Sequence, residues 1–144
     1  MTAPPAASPP PPPPGATCLV VDDSRTVRRV ARRMLEAEGL AVWEAEDGRQ
    51  ALEACRAALP DAVLLDWNMP VMDGLSFLRA ARAEFGPDRP AIVLCTTEAT
   101  LDRILEALEA GAQEYVMKPF DEAILRDKLV QAGLLVPLPP QEPA

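Results

Sequence analysis

Hydrophobic and polar positions form two alternating patterns along the central part of the chain. Continuous apolar runs occupy residues 18–21, 62–65 and 91–95, and such runs are typical of strands that helices cover on both faces of a parallel sheet. Residues 41–45 and 114–117 predict two further short strands. Between these segments, apolar residues recur every three or four positions, which predicts helices.

The helical segments have recognisable ends and inward faces. Ser24 is suited to cap a first helix, predicted over 24–39, and Gly39 is suited to end it. The predicted inward face of this helix consists of Val27, Val30, Ala31, Met34 and Leu35. Further helices are predicted at 47–58, 75–84, 101–110 and from Asp121 onwards. Strands that alternate with helices in this way predict the α/β class, with a doubly wound, five-stranded parallel sheet of (βα)5 arrangement.

Length and composition fit one folded domain between two proline-rich tails. The chain has 144 residues, of which 49% are hydrophobic and 25% charged, enough for one sizeable core and too few for two. Residues 1–15 contain eight prolines, so we expect a disordered tail there. Residues 137–144 are again proline-rich, and the domain is therefore expected at 16–136.

Charge and the available residue types exclude several functions. A net charge of −8 argues against DNA or another nucleic acid as the partner. Because the sequence has neither an apolar run of 18 residues nor a signal-peptide pattern, we expect a cytoplasmic protein without membrane insertion. The chain contains no histidine, which excludes a histidine nucleophile, base or metal ligand. Cys18, Cys55 and Cys95 are expected as buried, reduced thiols.

Polar residues follow four of the predicted strands at their carboxyl ends. They are Asp22 and Asp23, Asp66, Thr96 and Thr97, and Lys118. Because parallel strands end on one edge of a sheet, we expect these side chains to converge. Three carboxylates and one ammonium need a compensating cation, and an all-oxygen site with few protein ligands suits Mg²⁺. Asp23 and Asp66 are the expected direct ligands, Asp22 is expected to act through water, and the backbone carbonyl of Asn68 is expected to supply a neutral ligand.

This set of residues favours phosphoryl transfer to a carboxylate. Asp66 would be the nucleophile, since aspartate is an established acceptor in such reactions. Lys118 and the cation would neutralise the transferred oxygens, and the Thr96 hydroxyl could donate to one of them. An ionised carboxylate needs no general base, which agrees with the lack of histidine.

Four motifs resemble a known protein family. The segments LVVDDS, LLDWNMPVMDG, VLCTTEA and GAQEYVMKPF are similar to the receiver domain of two-component response regulators, and the similarity extends over residues 18–135. The resemblance implies a flavodoxin-like sheet of strand order 2-1-3-4-5. It also implies Asp66 as the phosphoacceptor, Asp22 and Asp23 as the acidic metal pocket, and Lys118 as the amine that contacts the phosphoryl group. The phosphodonor would be a histidine kinase or a histidine phosphotransfer protein.

The same resemblance implies a switch and a partner face. Thr96 would move towards the phosphoryl group and Tyr115 would turn inwards. The alternative for Tyr115 is an ordinary half-exposed strand aromatic. Ile104, Tyr115 and Lys128 are expected as exposed positions of the effector face. Trp67 is expected as a surface ring beside the metal site.

A strip of arginines on the first helix has two interpretations. Its members are Arg25, Arg28, Arg29, Arg32 and Arg33. They could form a docking face for the histidine kinase or phosphotransfer protein, which the resemblance places near this helix. Alternatively, they could be a solvated face paired with Glu36 and Glu38.

The output of such a protein is open to three hypotheses. The first is a monomeric chemotaxis messenger that, when phosphorylated, binds an effector protein such as a flagellar motor switch component. The second is a relay or phosphate-sink receiver without motor output. The third is an interaction or second-messenger-binding module that works without phosphorylation, and the intact acidic pocket argues against it. In the first two cases the chain is a phosphoacceptor signalling protein that catalyses only its own phosphotransfer and dephosphorylation.

Overall fold

Strands and helices alternate strictly along the chain. The computed structural model describes residues 17–98 and 100–135. The strands are β1 (Thr17–Val21), β2 (Ala41–Ala45), β3 (Ala62–Asp66), β4 (Ala91–Thr96) and β5 (Glu114–Met117). The helices are α1 (Arg25–Ala37), α2 (Gly48–Ala57), α3 (Gly74–Phe85), α4 (Leu101–Glu109) and α5 (Glu122–Gln131). The predicted proline-rich tails lie outside the described residues.

The five strands form one parallel sheet in the order β2-β1-β3-β4-β5. This confirms the predicted fold class and strand order. Every helix begins after a side chain that accepts a hydrogen bond from a backbone N–H of the first turn, and these capping residues are Ser24, Asp47, Asp73, Thr100 and Asp121. Such caps satisfy the free N–H groups of a helix start.

Two apolar cores lie on the two faces of the sheet. One core packs α2, α3 and α4 against side chains such as Leu65 and Leu94. The other packs α1 and α5 against side chains such as Val20 and Leu64. Cys18, Cys55 and Cys95 are free and buried, as expected, and burial raises the pKa of the Cys18 thiol to about 12. Thiols of this kind are inert packing groups.

The predicted inward face of α1 is wrong at two positions. Val30 is exposed, and Arg28, assigned to the basic strip, is buried. Arg28 is buried because its side chain reaches β2, where its Nε donates to Glu44 Oε1 at 3.0 Å. A charge that finds such a partner can be buried, and hydrophobic periodicity alone does not reveal that partner.

Candidate functional site

The carboxyl edge of the sheet brings together the polar residues singled out in the sequence. Asp22 follows β1, Asp66 ends β3, Thr96 ends β4 and Lys118 follows β5. Asp66 lies beside Cys95 in the β3–β4 pairing, and Thr96 lies beside Met117 in the β4–β5 pairing. The parallel pairing of the strands therefore places these groups at one edge of the sheet.

Lys118 joins the two most buried carboxylates of this edge. Its Nζ donates to Asp22 Oδ2 at 2.6 Å and to Asp66 Oδ1 at 3.1 Å. Burial and the nearby Asp22 charge raise the pKa of Asp66, because the hydrogen bond from Lys118 offsets them only in part. Burial works against the charged ammonium, yet its hydrogen bonds to both carboxylates raise the pKa of Lys118 overall. The edge therefore has an excess of negative charge even with its lysine in place.

Asp22 is held in place from three directions. Its Oδ1 accepts from the backbone N–H of Ser24 at 2.9 Å, and its Oδ2 accepts from Lys118. Its backbone carbonyl accepts from Nη1 of the buried Arg28 at 2.6 Å. Sequence reasoning missed this role of Arg28, which was grouped with the exposed arginines.

The acidic cluster fits a divalent cation. Asp22, Asp23 and Asp66 each offer one carboxylate oxygen, and these oxygens lie within 4.8 Å of one another. Asp23 is exposed whereas the other two are buried, so the cluster opens to solvent on one side. Hard oxygen ligands of this number suit Mg²⁺, which keeps several waters. Asn68 lies on the exposed loop directly after β3, and its role as a carbonyl ligand stays a prediction.

A glycine allows α3 to start close to Asp66. The N–H of Gly74 donates to the Trp67 carbonyl at 2.9 Å, and a Cβ at position 74 would lie 2.3 Å from the carbonyl oxygen of Asp66. Any side chain here would displace the end of β3 or the start of α3. The sequence motif contains this glycine, but only the structure reveals the contact that requires it.

The Thr96 hydroxyl is occupied by its own loop. It donates to the Glu98 carbonyl at 3.0 Å and accepts from the Glu98 N–H at 2.9 Å. Thr96 is buried. In this structure the hydroxyl is therefore committed to the β4–α4 connection rather than to Asp66.

The expected effector positions are half-buried rather than exposed. This holds for Ile104, Tyr115 and Lys128. The Lys128 ammonium lies 4.6 Å from the centroid of the Tyr115 ring and 3.2 Å from Glu114 Oε1. The side chains of Tyr115 and Lys128 cover each other because β5 and α5 are adjacent. The face exposes its apolar surface instead through α4 and its neighbours, at Leu101, Leu105, Leu108, Met117 and Ile124.

The arginine strip of α1 separates into two sets. Arg28 and Arg32 both pair with Glu44 of β2, and Arg32 pairs also with Glu36. Arg25, Arg29 and Arg33 are exposed, and none of them forms an ion pair within residues 17–98 and 100–135. Their spacing of four residues aligns them along one side of the helix. Glu38, one of the two expected acidic partners, pairs with Arg126 of α5 instead.

The expectation of a surface ring at Trp67 is wrong. Trp67 is buried in the core beneath α2, α3 and α4, because the alternation of β3 continues for one residue beyond its end. The guanidinium carbon of Arg103 lies 4.5 Å from the centroid of its ring. Arg103 was not singled out in the sequence, since a lone arginine in the first turn of a helix is unremarkable there.

Comparison with known proteins agrees with this geometry. The family described as "Response regulator receiver domain" matches residues 18–130, and the chain therefore belongs to the response regulator receiver family. The expected phosphorelay signalling class is thereby confirmed. Proteins of this family are signalling receivers rather than classical enzymes, and they interact with histidine kinases and effector proteins.

Individual relatives are chemotaxis proteins. The chain is 39% identical over 112 residues to Chemotaxis protein CheY of Pseudomonas aeruginosa, covering 77% of this chain and 90% of the relative. It is 38% identical to Chemotaxis protein CheY-3 of Vibrio cholerae over 77% and 86% of the two chains. The solved structure of the chemotaxis response regulator CheY4 of Vibrio cholerae superposes with a TM-score of 0.76 at 34% identity, over 81% of this chain and 98% of that one.

None of the helices in the described part of the chain has the length and apolar character needed to cross a bilayer.

Proposed function

We propose that this receiver accepts a phosphoryl group on Asp66 from a histidine kinase or histidine phosphotransfer protein. The observation that carries the proposal is the pair of hydrogen bonds from Lys118 to Asp22 and Asp66 beside an open acidic cluster. This arrangement places the Asp66 carboxylate beside the Lys118 ammonium at an edge that opens to solvent through Asp23. An ion pair that served only to stabilise the fold would need one carboxylate beside Lys118, not three.

The side chains that this chain contributes to the transfer step all belong to this edge. An Asp66 carboxylate oxygen forms a bond to phosphorus while the bond from phosphorus to the donor nitrogen breaks, and the donor imidazole leaves with that electron pair. Lys118 stabilises the charge that spreads over the transferred oxygens. The resulting acyl phosphate adds about one negative charge at Asp66.

Mg²⁺ is the cofactor that these residues would hold. Asp22, Asp23 and Asp66 offer three carboxylate oxygens, and the Asn68 carbonyl is proposed as a further ligand. When bound, the cation supplies charge neutralisation for the phosphoryl oxygens. The raised pKa of Asp66 indicates that its proton competes with the cation more than an ordinary aspartate proton would.

The added charge is proposed to act through Thr96 and Tyr115. Thr96 exchanges its hydrogen bonds with Glu98 for one to the phosphoryl group, and the Tyr115 ring then moves towards the space vacated. Lys128, which lies over that ring, moves with it. The effector face around Ile104, Tyr115 and Lys128 thereby changes its surface upon phosphorylation.

The three exposed arginines of α1 are the proposed docking residues for the phosphodonor. Within the described residues, Arg25, Arg29 and Arg33 are the cations of this helix that form no ion pair. Arg29→Glu should therefore slow phosphotransfer from the donor, whereas Arg32→Gln should leave its rate unchanged. Equal rates in both variants would indicate a simply solvated face.

The relatives named for chemotaxis favour a cytoplasmic, monomeric chemotaxis messenger. Its output would be a phosphorylation-dependent contact with an effector protein, and a flagellar motor switch component is the proposed example. A relay or phosphate sink would instead return the phosphoryl group rapidly to the kinase. Binding of the phosphorylated and unphosphorylated protein to the motor component separates these functions.

The test is intact-mass analysis after incubation with Mg²⁺ and acetyl phosphate. The wild type should gain one phosphoryl group, Asp66→Ala should gain none, and the control Asp127→Asn on the surface of α5 should behave as the wild type. Chelation of Mg²⁺ should abolish the gain. A folded wild type that gains nothing even with purified kinase would contradict the proposal and favour a phosphorylation-independent module.

A further inference from the structure

Arg103 connects two parts of the site that lie on different strands. It belongs to the first turn of α4, and its guanidinium stacks over the ring of Trp67 at 4.5 Å. Trp67 directly follows Asp66 and is buried. A planar guanidinium over an indole face is a favourable contact, and its strength rises where water is excluded.

The second contact of Arg103 is with the loop that holds Thr96. Its Nε lies 4.0 Å from Glu98 Oε2, and the backbone of Glu98 both donates to and accepts from the Thr96 hydroxyl. Because the Glu98 side chain is largely exposed, this ion pair is weak. The stack on Trp67 is therefore the stronger of these two contacts of Arg103.

One donor of the Arg103 guanidinium is left without a partner. Its Nη1 is buried and has no hydrogen bond within the described part of the chain. A buried donor without an acceptor costs free energy. Arg103 thus contacts both Trp67 and Glu98 although one buried donor of its guanidinium is unsatisfied there.

We propose that Arg103 is a positioning residue that stabilises the arrangement in which the Thr96 hydroxyl is bound to Glu98, and so opposes the phosphorylated state. This inference rests on the proposed function, because it concerns the response to a phosphoryl group on Asp66. For Thr96 to leave Glu98, the β4–α4 connection has to move relative to Trp67, and the stacking contact is lost. Without the guanidinium there is no stacking contact to lose, so Thr96 leaves Glu98 more readily.

The test is the affinity of the Mg²⁺-loaded protein for beryllium trifluoride, a phosphoryl analogue, followed by tryptophan fluorescence. Trp43 is partly exposed and is the second tryptophan of the chain, so Trp43→Phe leaves Trp67 as the reporter. In this background Arg103→Met, which keeps an apolar stem over the ring, should bind the analogue about five-fold more tightly, the factor expected for a partly desolvated stack.

Two further variants show whether the effect belongs to the stack. Arg103→Lys keeps the charge but lacks the planar group, so its affinity should rise by a smaller factor, about two-fold. Arg79→Met is the matched control, because Arg79 also reaches α4, through Glu106 at 3.8 Å, but is exposed. It should bind as the background protein does. Unchanged or weaker binding in both Arg103 variants would overturn the inference, as would an equal gain in Arg79→Met.

Intact-mass analysis with acetyl phosphate distinguishes this failure from a failure of the proposed function. If the background protein and the Arg103 variants are phosphorylated and yet bind the analogue equally well, Arg103 has no positioning role and the receiver chemistry stands. If none of them is phosphorylated, the proposed function fails, and this inference with it. Because Arg103→Lys changes only the head group, it keeps the test decisive if Arg103→Met does not fold.

Discussion

The two helices that flank the site, α1 and α4, are anchored very differently. On α1, Arg28, Ala31 and Leu35 are buried, and the Arg28 guanidinium has partners on both β2 and the Asp22 carbonyl. On α4, Ala107 is the residue that is fully buried, and three leucines face solvent. The Arg103 guanidinium of α4 stacks on the Trp67 ring, but its buried Nη1 has no hydrogen-bond partner among the described residues.

This difference separates a fixed part of the site from a part that can move. The α1 side holds Asp22, so the proposed metal pocket keeps its shape. The α4 side holds the Thr96 hydroxyl through Glu98, and little buried surface opposes its displacement. Elements with few buried apolar contacts are the ones that open at low free-energy cost. The proposed switch therefore involves α4 and spares α1.

The largest expected difference is between two leucines of these helices. Leu35→Ala should lower the free energy of unfolding by about 3 kcal/mol, because Leu35 is completely buried and the deletion leaves a cavity. Leu105→Ala on α4 should cost less than about 0.5 kcal/mol, since its side chain is exposed. Urea denaturation of both variants measures this, and similar losses would remove the distinction between the helices.

Arg28 tests whether the fixed side depends on its buried charge. Arg28→Met should cost about 2 kcal/mol, because the Asp22 carbonyl loses its donor and Glu44 loses one of its cations. Arg32→Met, which removes a partly exposed ion pair, should cost less than about 0.5 kcal/mol. Equal denaturation midpoints for the two variants would contradict the separation of the arginines.

Gly74 tests whether the start of α3 belongs to the fixed side. Gly74→Ala should cost about 1.5 kcal/mol, because the new Cβ collides with the Asp66 carbonyl oxygen while the helix gains little. Mg²⁺ affinity, measured by tryptophan fluorescence, should fall as well. Ser76→Ala, an exposed change on the same helix, is the control. Unchanged stability and affinity in Gly74→Ala would mean that the end of β3 can shift to accommodate the new Cβ at no measurable cost.

The smallest effect concerns the charge of the edge itself. Asp66→Asn should stabilise the cation-free protein by about 1 kcal/mol at neutral pH, since it removes a carboxylate that is buried and lies near the negative charge of Asp22. Because the pKa of Asp66 is raised in the folded state, the wild type loses stability as the pH rises through the interval between the unfolded and folded pKa values. The advantage of the variant should therefore vanish in acid, as thermal melts across pH can measure.

Adding Mg²⁺ should reverse the order of stability of the wild type and Asp66→Asn. The wild type should gain stability on binding the cation and Asp66→Asn should gain much less, so their order reverses. Parallel melting curves at every pH, with and without Mg²⁺, would show that the edge is electrostatically neutral and would contradict the proposed metal pocket.

Particular residues show how far the sequence alone was informative. Asp22, Asp66 and Lys118 could be brought together in advance, because the ends of parallel strands meet on one edge and periodicity locates those ends. Val30 was placed wrongly because α1 buries Arg28 while Val30 is exposed. Trp67 was placed wrongly because the alternation of β3 was not extended to the residue after its end. Arg28 was placed wrongly because a buried ion pair depends on a partner from another strand.

The order of strands and helices along the chain and the chemistry at the ends of the strands could be predicted from the amino-acid sequence. Both follow from local periodicities and from the geometry common to parallel sheets. The pairing of the arginines, the hydrogen bonds of the Thr96 hydroxyl and the position of Arg103 over Trp67 became known from the folded molecule. Those facts depend on distances of a few ångströms between groups that are far apart in the chain, which packing sets and local pattern does not encode.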